Sequence, residues 1–270
     1  MKRSQAPAAN RVPTTNHKPA ARSTLPAVSL PPAWMRLPPA LPEMVTIPAG
    51  PFVMGDDFGP REARPAHDLT LPTFRCSRFP ITALEFATYL AATGRSMPSH
   101  WPHPLRWLEH AHDPVARLGW RDALRYCEWL GQQVGCQVSL PTEPQWEKAA
   151  LWDAERGIKR IYPWGYDFDP ACCNVVESLI DGVTPVDAYR TMGDSAYGVS
   201  DLFGNVAEWT LSRFTPYPYE DKRHDTNLMG YRVVRGGSYQ SEGKWTTALH
   251  RGYFSPDETR YPIGFRIVVI

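Results

Sequence analysis

The sequence predicts an α+β fold: a few helices early, then a long loop-rich half with small antiparallel sheets. Three observations predict it. Helix signals cluster before residue 160, and two of them are complete capping boxes. Beyond residue 160 no helical period survives, while turn signals recur at Pro163-Trp164-Gly165, Asp181-Gly182, Gly193-Asp194, Gly204-Asn205 and Gly236-Gly237. Between those turns lie short apolar runs of strand length.

Residues 1–43 stand apart, with nine of the 28 prolines and six basic residues against Glu43. Proline at this density removes backbone donors and blocks helix, so a disordered, partly polyproline-II arm is expected ahead of one domain over 44–270. The arm carries a net +5 and the remainder −4, inside a total of +1. Such an arm is either a tether that docks an acidic partner or a solvated leader.

From residue 44 the elements follow in order. Residues 45–55 read as two short strands around a turn, and 68–79 as a further extended stretch. A first helix starts at Thr82, boxed by Glu85, with an apolar face of Leu84, Ala87 and Ala91 flanked by Phe86 and Leu90. A second spans about 121–133, where Ala123, Tyr126, Cys127 and Leu130 fall at i, i+3, i+4 and i+7. A third begins at Thr142, boxed by Gln145 with Pro144 in the first turn, and buries Trp146, Ala149 and Ala150. Strands are expected at 206–211, 231–235, 247–252 and 265–270.

Composition excludes several classes. Hydrophobics at 43% and charged residues at 21% rule out a wholly disordered chain and a coiled coil. The near-neutral balance gives no nucleic-acid footprint. No stretch approaches the roughly 18 apolar residues of a membrane span. With no apolar leader and five cysteines, the sequence fits reduced thiols and a cytoplasmic location.

Nine ordered blocks then carry a resemblance. They are Phe52-Val53-Met54-Gly55, Arg64-Pro65-Ala66-His67, Phe79-Pro80-Ile81-Thr82, Trp120-Arg121-Asp122-Ala123, Leu140-Pro141-Thr142-Glu143-Pro144-Gln145-Trp146-Glu147-Lys148, Tyr162-Pro163-Trp164-Gly165, Gly204-Asn205-Val206-Ala207-Glu208-Trp209, Arg232-Val233-Val234-Arg235-Gly236-Gly237-Ser238 and Gly264-Phe265-Arg266. Residues 44–270 thereby resemble the formylglycine-generating enzyme family, also called sulfatase-modifying factors. The resemblance implies a loop-rich fold related to C-type lectins, with bound calcium.

A hard divalent ion takes oxygens, often mixing carboxylates with carbonyls on an irregular loop. Asp201 and Glu208 bracket the turn at Gly204, and the resemblance assigns Asp201, Gly204, Val206 and Glu208 to calcium. The other reading is that Glu208 accepts hydrogen bonds from backbone amides and no ion sits there. A second family site would involve Asn174, Val175 and Asp181, although the loop between them aligns poorly.

The family's enzyme oxidises a substrate cysteine with oxygen and copper(I) held by two thiolates, which soft copper(I) requires. The resemblance places those cysteines at Ser241 and Thr246, and no cysteine follows Cys173. Copper is therefore not expected, nor is formylglycine generation by that route. Ser238, which lines the family's cleft, is retained, and Ser241, Glu242, Lys244, Trp245 and Thr246 make a plausible binding surface.

The remaining candidates are weaker. Cys172 and Cys173 are adjacent and would close a strained ring, Cys127 reads as packing, and Cys76 and Cys136 lack a ligand-spaced partner. His100, His103, His110 and His112 form a cluster that suits zinc or iron(II), yet the sequence shows no clear pattern of partners to orient the rings. Related sulfoxide synthases hold iron with histidines of a separate helical domain, for which residues 1–43 offer no room. His67 and His250 read as structural, and Arg235, Arg251 and Arg266 as buttresses bonded to carbonyls or carboxylates. Trp146, Trp164 and Trp209 read as core.

Three functions fit. The first is a calcium-stabilised binding or accessory module that holds a peptide, glycan or protein partner in the cleft. The second is an oxidoreductase or a cofactor- or metabolite-maturation enzyme with cysteine-independent chemistry. The third is a variable-surface protein, disfavoured because the carboxy-terminal segment is not asparagine-rich.

Overall fold

The computed structural model describes residues 39–96, 110–219 and 230–270. Its elements are β1 (Met44–Ile47), β2 (Gly50–Met54), β3 (His67–Leu71), β4 (Phe74–Ser77), α1 (Ala83–Thr93), α2 (Trp120–Val134), β5 (Val138–Ser139) and α3 (Glu143–Leu151). Then come β6 (Trp152–Asp153), β7 (Ile158–Lys159), β8 (Ala207–Arg213), β9 (Arg232–Arg235), β10 (Gly252–Phe254), β11 (Ile263–Gly264) and β12 (Val268–Val269). Past Leu151 the described helical structure is confined to short 3-10 turns such as Pro170–Cys172 and Val176–Ser178. This is the loop-rich α+β arrangement that the periodicity predicts. Among the described residues no helix is long and apolar enough to cross a membrane.

The helices start where their caps say. Thr82 and Glu85 exchange both capping-box bonds, as do Thr142 and Gln145. The face of α1 differs from expectation: Phe86, Tyr89 and Leu90 are its large buried side chains, while Leu84 and Ala91 are half-buried. Phe86 and Tyr89 are drawn in by Tyr126 and Phe265, with which they form an aromatic cluster. The face of α2 is as read, with Ala123, Tyr126, Cys127 and Leu130 all buried.

Two four-stranded sheets organise the chain. One has the order β1-β4-β12-β5, so the carboxy-terminal strand is inserted between two early ones. The other has the order β10-β9-β8-β11, in which β11 runs parallel to β8 and sets Gly264 beside Glu208. Pro72 and Thr73 split the expected 68–79 strand into β3 and β4, which join different sheets. The expected 247–252 strand is mostly a turn, because His250 N–H donates to the Thr247 carbonyl (3.1 Å) and Leu249 N–H to the Thr247 hydroxyl (3.3 Å). Only Gly252 survives into β10. Likewise 265–270 pairs as a strand only at Val268 and Val269, since Ile267 instead bonds the Ser77 backbone and hydroxyl.

The packed unit reaches upstream of residue 44. Leu41 packs against the core under α1 and α2, and Glu43 pairs with Arg78 at 2.7 Å. A second core surrounds α3, where Trp146 is fully buried against Phe203 and Leu249.

Candidate functional site

The loop ahead of β8 builds the first candidate site. The chain enters the left-handed region at Asp201 (φ 57°), Gly204 (82°) and Asn205 (55°). A side chain at Gly204 would collide with the Asn174 carbonyl, which accepts the Asn205 N–H at 2.7 Å. Glycine is therefore required here both by conformation and by space.

Glu208 is buried, and its carboxylate is met by a guanidinium fork. Arg266 Nε donates to Oε2 and Nη2 to Oε1, both at 2.7 Å, and Trp146 Nε1 donates to Oε2 at 2.7 Å. Its partners are thus side chains rather than backbone amides. Arg266 also donates to the carbonyls of Ser77, Arg78, Ser200 and Asp201. Asp201 has no fork of its own. Burial pushes its carboxyl up to about 8, against the downward pull of the Asn205 amide at 2.9 Å and of Arg266.

One guanidinium therefore faces two buried carboxyl groups, so Asp201 keeps its proton up to about 8 and, once ionised, leaves a deficit of one positive charge. A hard cation suits that deficit, and the donors present are oxygens. Asp201 suits it better than Glu208, whose Oε2 already accepts two hydrogen bonds. Among the described residues no three His, Cys, Asp or Glu side chains converge as a metal cluster. A cation held here would therefore lean on carbonyls such as those of Gly204 and Val206.

The second trio is only partly assembled. Asn174 is fully buried and donates to the Gly182 carbonyl (2.9 Å) and to Asn205 Oδ1 (3.2 Å), while its own Oδ1 has no hydrogen-bond partner among the described residues. Val175 is buried and its N–H donates to the Ser178 hydroxyl. Asp181 is exposed. Asn205, which sequence reasoning missed, joins the two sets by bonding Asn174, Asp201 and both backbone groups of Thr184. Its place in the Gly-Asn turn was the available signal.

Residues 238–246 form one hydrogen-bonded loop. Ser241 Oγ accepts the Ser238 N–H at 3.0 Å, and the Glu242 carbonyl accepts the N–H groups of Trp245 and Thr246. A methyl built on Gly237 would lie 3.0 Å from Ser241 Oγ and 3.8 Å from Thr246 Cγ2. The Ser241 hydroxyl and the Thr246 methyl thus both border Gly237, Ser241 the more closely. Trp245 is 77% exposed beside them.

A buried polar network supports this half and was only half legible. Arg235 and Arg251 were expected as buttresses, and they are fully or nearly buried. Their acidic partners Glu143 and Glu147, on α3, were missed. Arg235 donates to Glu143 Oε1 (2.6 Å), Glu147 Oε2 (2.8 Å) and the Ala248 carbonyl (2.9 Å). Arg251 spans Glu143 through Nε (2.8 Å) and Nη2 (2.9 Å) and lies 3.9 Å from the Tyr217 ring centre. Tyr217 and Tyr219 donate to Glu143, and Lys159 to Glu147.

All five thiols are free. Burial pushes Cys76 up to about 11 and raises Cys127 and Cys173 further, which suits packing roles. His100 and His103 lie outside the described residues. His110 Nδ1 sits 2.7 Å from Asp113 Oδ2, a carboxylate contact the sequence did not reveal, and His112 is exposed. His67 contacts the Pro65 carbonyl, and His250 Nδ1 accepts the Thr247 N–H.

The loop-rich α+β architecture of small sheets and three helices agrees with the sulfatase-modifying-factor class of domain. The chain belongs to that family: residues 33–270 match the Sulfatase-modifying factor enzyme 1-like domain. It is 31% identical to hercynine oxygenase of Mycolicibacterium smegmatis over 78% of this chain, and spans 59% of that protein. It is 30% identical to the inactive C-alpha-formylglycine-generating enzyme 2 of Mus musculus, over 92% of this chain and 94% of that one. In fold it is similar to PvdO from Pseudomonas aeruginosa, with a TM-score of 0.67 at 22% identity, covering 84% of this chain and 94% of that one.

Proposed function

We propose that this family member is a calcium-stabilised binding or accessory module of the cytoplasm, with a peptide, glycan or protein partner seated at residues 238–246. The observation that carries the reading is the pair Ser241 and Thr246. Both side chains border Gly237, and the resemblance places two copper-binding cysteines at these two positions. Hydroxyl oxygens with ordinary acidity are poor ligands for soft copper(I), so that chemistry has no ligand pair here. What remains is an exposed indole, an ammonium at Lys244 and a carboxylate at Glu242 on one loop, which is the composition of a recognition surface. The mouse relative matched almost end to end is itself named inactive.

Calcium in this reading is structural: Asp201 and Glu208 with the Gly204 and Val206 carbonyls would hold one ion, and Asn174, Val175 and Asp181 a second. The ion supplies positive charge to a buried acidic loop. The basic segment before residue 39 would serve as a tether to an acidic partner.

A second reading is a maturation or oxidoreductase enzyme with cysteine-independent chemistry, favoured by the similarity to hercynine oxygenase. One assay tests the premise that both readings share, the loss of the copper route. The full chain is incubated with copper, oxygen and a cysteine-containing sulfatase peptide, and the peptide is weighed by mass spectrometry. No aldehyde product is expected, and its appearance would sink the binding-module reading.

A further inference from the structure

We infer that Glu177 is the positioning residue of the cleft: its carboxylate holds the backbone of Gly243 and Lys244 and so sets where Ser241, Lys244 and Trp245 stand. The inference rests on the reading of residues 238–246 as a ligand cleft. The cleft loop has no strand ladder of its own. Inside the loop, Ser241 N–H donates to the Ser238 carbonyl and Trp245 and Thr246 N–H to that of Glu242. Residues 243 and 244 are reached from outside by Glu177, whose Oε2 accepts the Gly243 N–H at 2.9 Å and whose Oε1 accepts the Lys244 N–H at 3.0 Å. One carboxylate on two consecutive amides is a charge-assisted, two-point grip.

The grip is itself held in place. Glu177 sits in the 3-10 turn Val176–Ser178. Ser178 Oγ accepts the Val175 N–H and donates to the Cys173 carbonyl, both at 3.0 Å. Val176 N–H donates to the Ser241 carbonyl at 3.0 Å, so turn and loop are tied twice. Leu179 closes the turn at φ 57°, a left-handed conformation unusual for a bulky residue, and is 92% exposed. On the other side, a side chain on Gly243 would collide with the Phe168 ring, and Tyr162 OH donates to the Gly243 carbonyl at 3.1 Å. Wedged this way, the amides of 243 and 244 face Glu177. A loop ordered before its ligand arrives spares that ligand the ordering cost.

The test is amide hydrogen exchange, resolved at residues 243 and 244, on the full chain. In the unmodified protein both amides are expected to exchange at least about tenfold slower than in an unstructured peptide. Glu177→Gln keeps one acceptor oxygen and should release one amide. Glu177→Ala should release both, by about tenfold or more, while amides of the central helices and sheets keep their protection. Fast exchange at 243 and 244 in the unmodified chain, or no change in Glu177→Ala, overturns the inference. So does loss of protection throughout the core, which would make Glu177 a stability residue. If Glu177→Ala does not fold, the unmodified chain decides. An aldehyde product in the peptide assay would remove the binding-module reading and leave these rates untouched, so the two failures are distinguishable.

Discussion

Glu143 accepts hydrogen bonds from two guanidinium groups and two phenols while wholly out of contact with water. Removing it leaves Arg235 with one carboxylate and Arg251 with none, in surroundings that cannot hydrate them. Breaking a buried pair from one side costs about 3–5 kcal/mol. Glu143→Ala should lower the unfolding free energy by that order, measured by urea denaturation, and a loss under about 1 kcal/mol would show that water reaches the network. Glu147 makes the same point through pH. Burial alone would raise its carboxyl, but Lys159 and Arg235 more than offset it and hold it at about 2. Burial opposes and Arg251 and Arg235 likewise lower Glu143. A carboxyl held below its unfolded value of 4.5 stabilises fully above that value, and the contribution is lost as pH falls toward about 2. Melting temperature should therefore drop steeply between about pH 4.5 and 2, and this part of the drop should vanish in Glu147→Gln.

The elements that were legible are those whose cause is local. Two capping boxes and the four-position face of α2 are written within a few residues, and all three appear in the structure. Thr142 anchors the best example, since its hydroxyl accepts the Gln145 N–H and its own N–H donates to Gln145 Oε1. Thr142→Ala should cost about 1 kcal/mol with α3 retained by its packing, checked by thermal melts and circular dichroism. The features that escaped notice have distant causes. The acids of α3 look like an ordinary polar face, and only arginines 92, 88 and 108 positions away show that they are buried. The expected strand at 247–252 failed because a histidine ring and a threonine hydroxyl supplied cheaper bonds than a ladder. Glu177 escaped for the same reason as the α3 acids, since its partners lie 66 and 67 residues ahead.

At the scale of the molecule, the carboxy-terminal segment ties the sheets together. β12 is inserted between β4 and β5, and β11 lies along β8. Between them Arg266 sends its guanidinium into the loop that carries Asp201 and Glu208. This tie lacks a second cation, because Arg266 bonds Glu208 and leaves Asp201 buried against an amide, with its carboxyl raised to about 8. A cation bound to the folded state alone stabilises by RT ln(1 + [L]/Kd), about 2.7 kcal/mol at one hundred times Kd. Adding calcium to chelator-treated protein should therefore raise the melting temperature, and EDTA should reverse it. Asp201→Asn separates this from a general salt effect. The isosteric amide cannot ionise, so the variant should match the parent in EDTA at neutral pH and lose most of the calcium response. Magnesium at equal ionic strength should do little, given its reluctance to shed water for carbonyl ligands. A parent that melts identically with calcium and with EDTA would mean that this loop satisfies its acids by protonation and the fold stands without the ion.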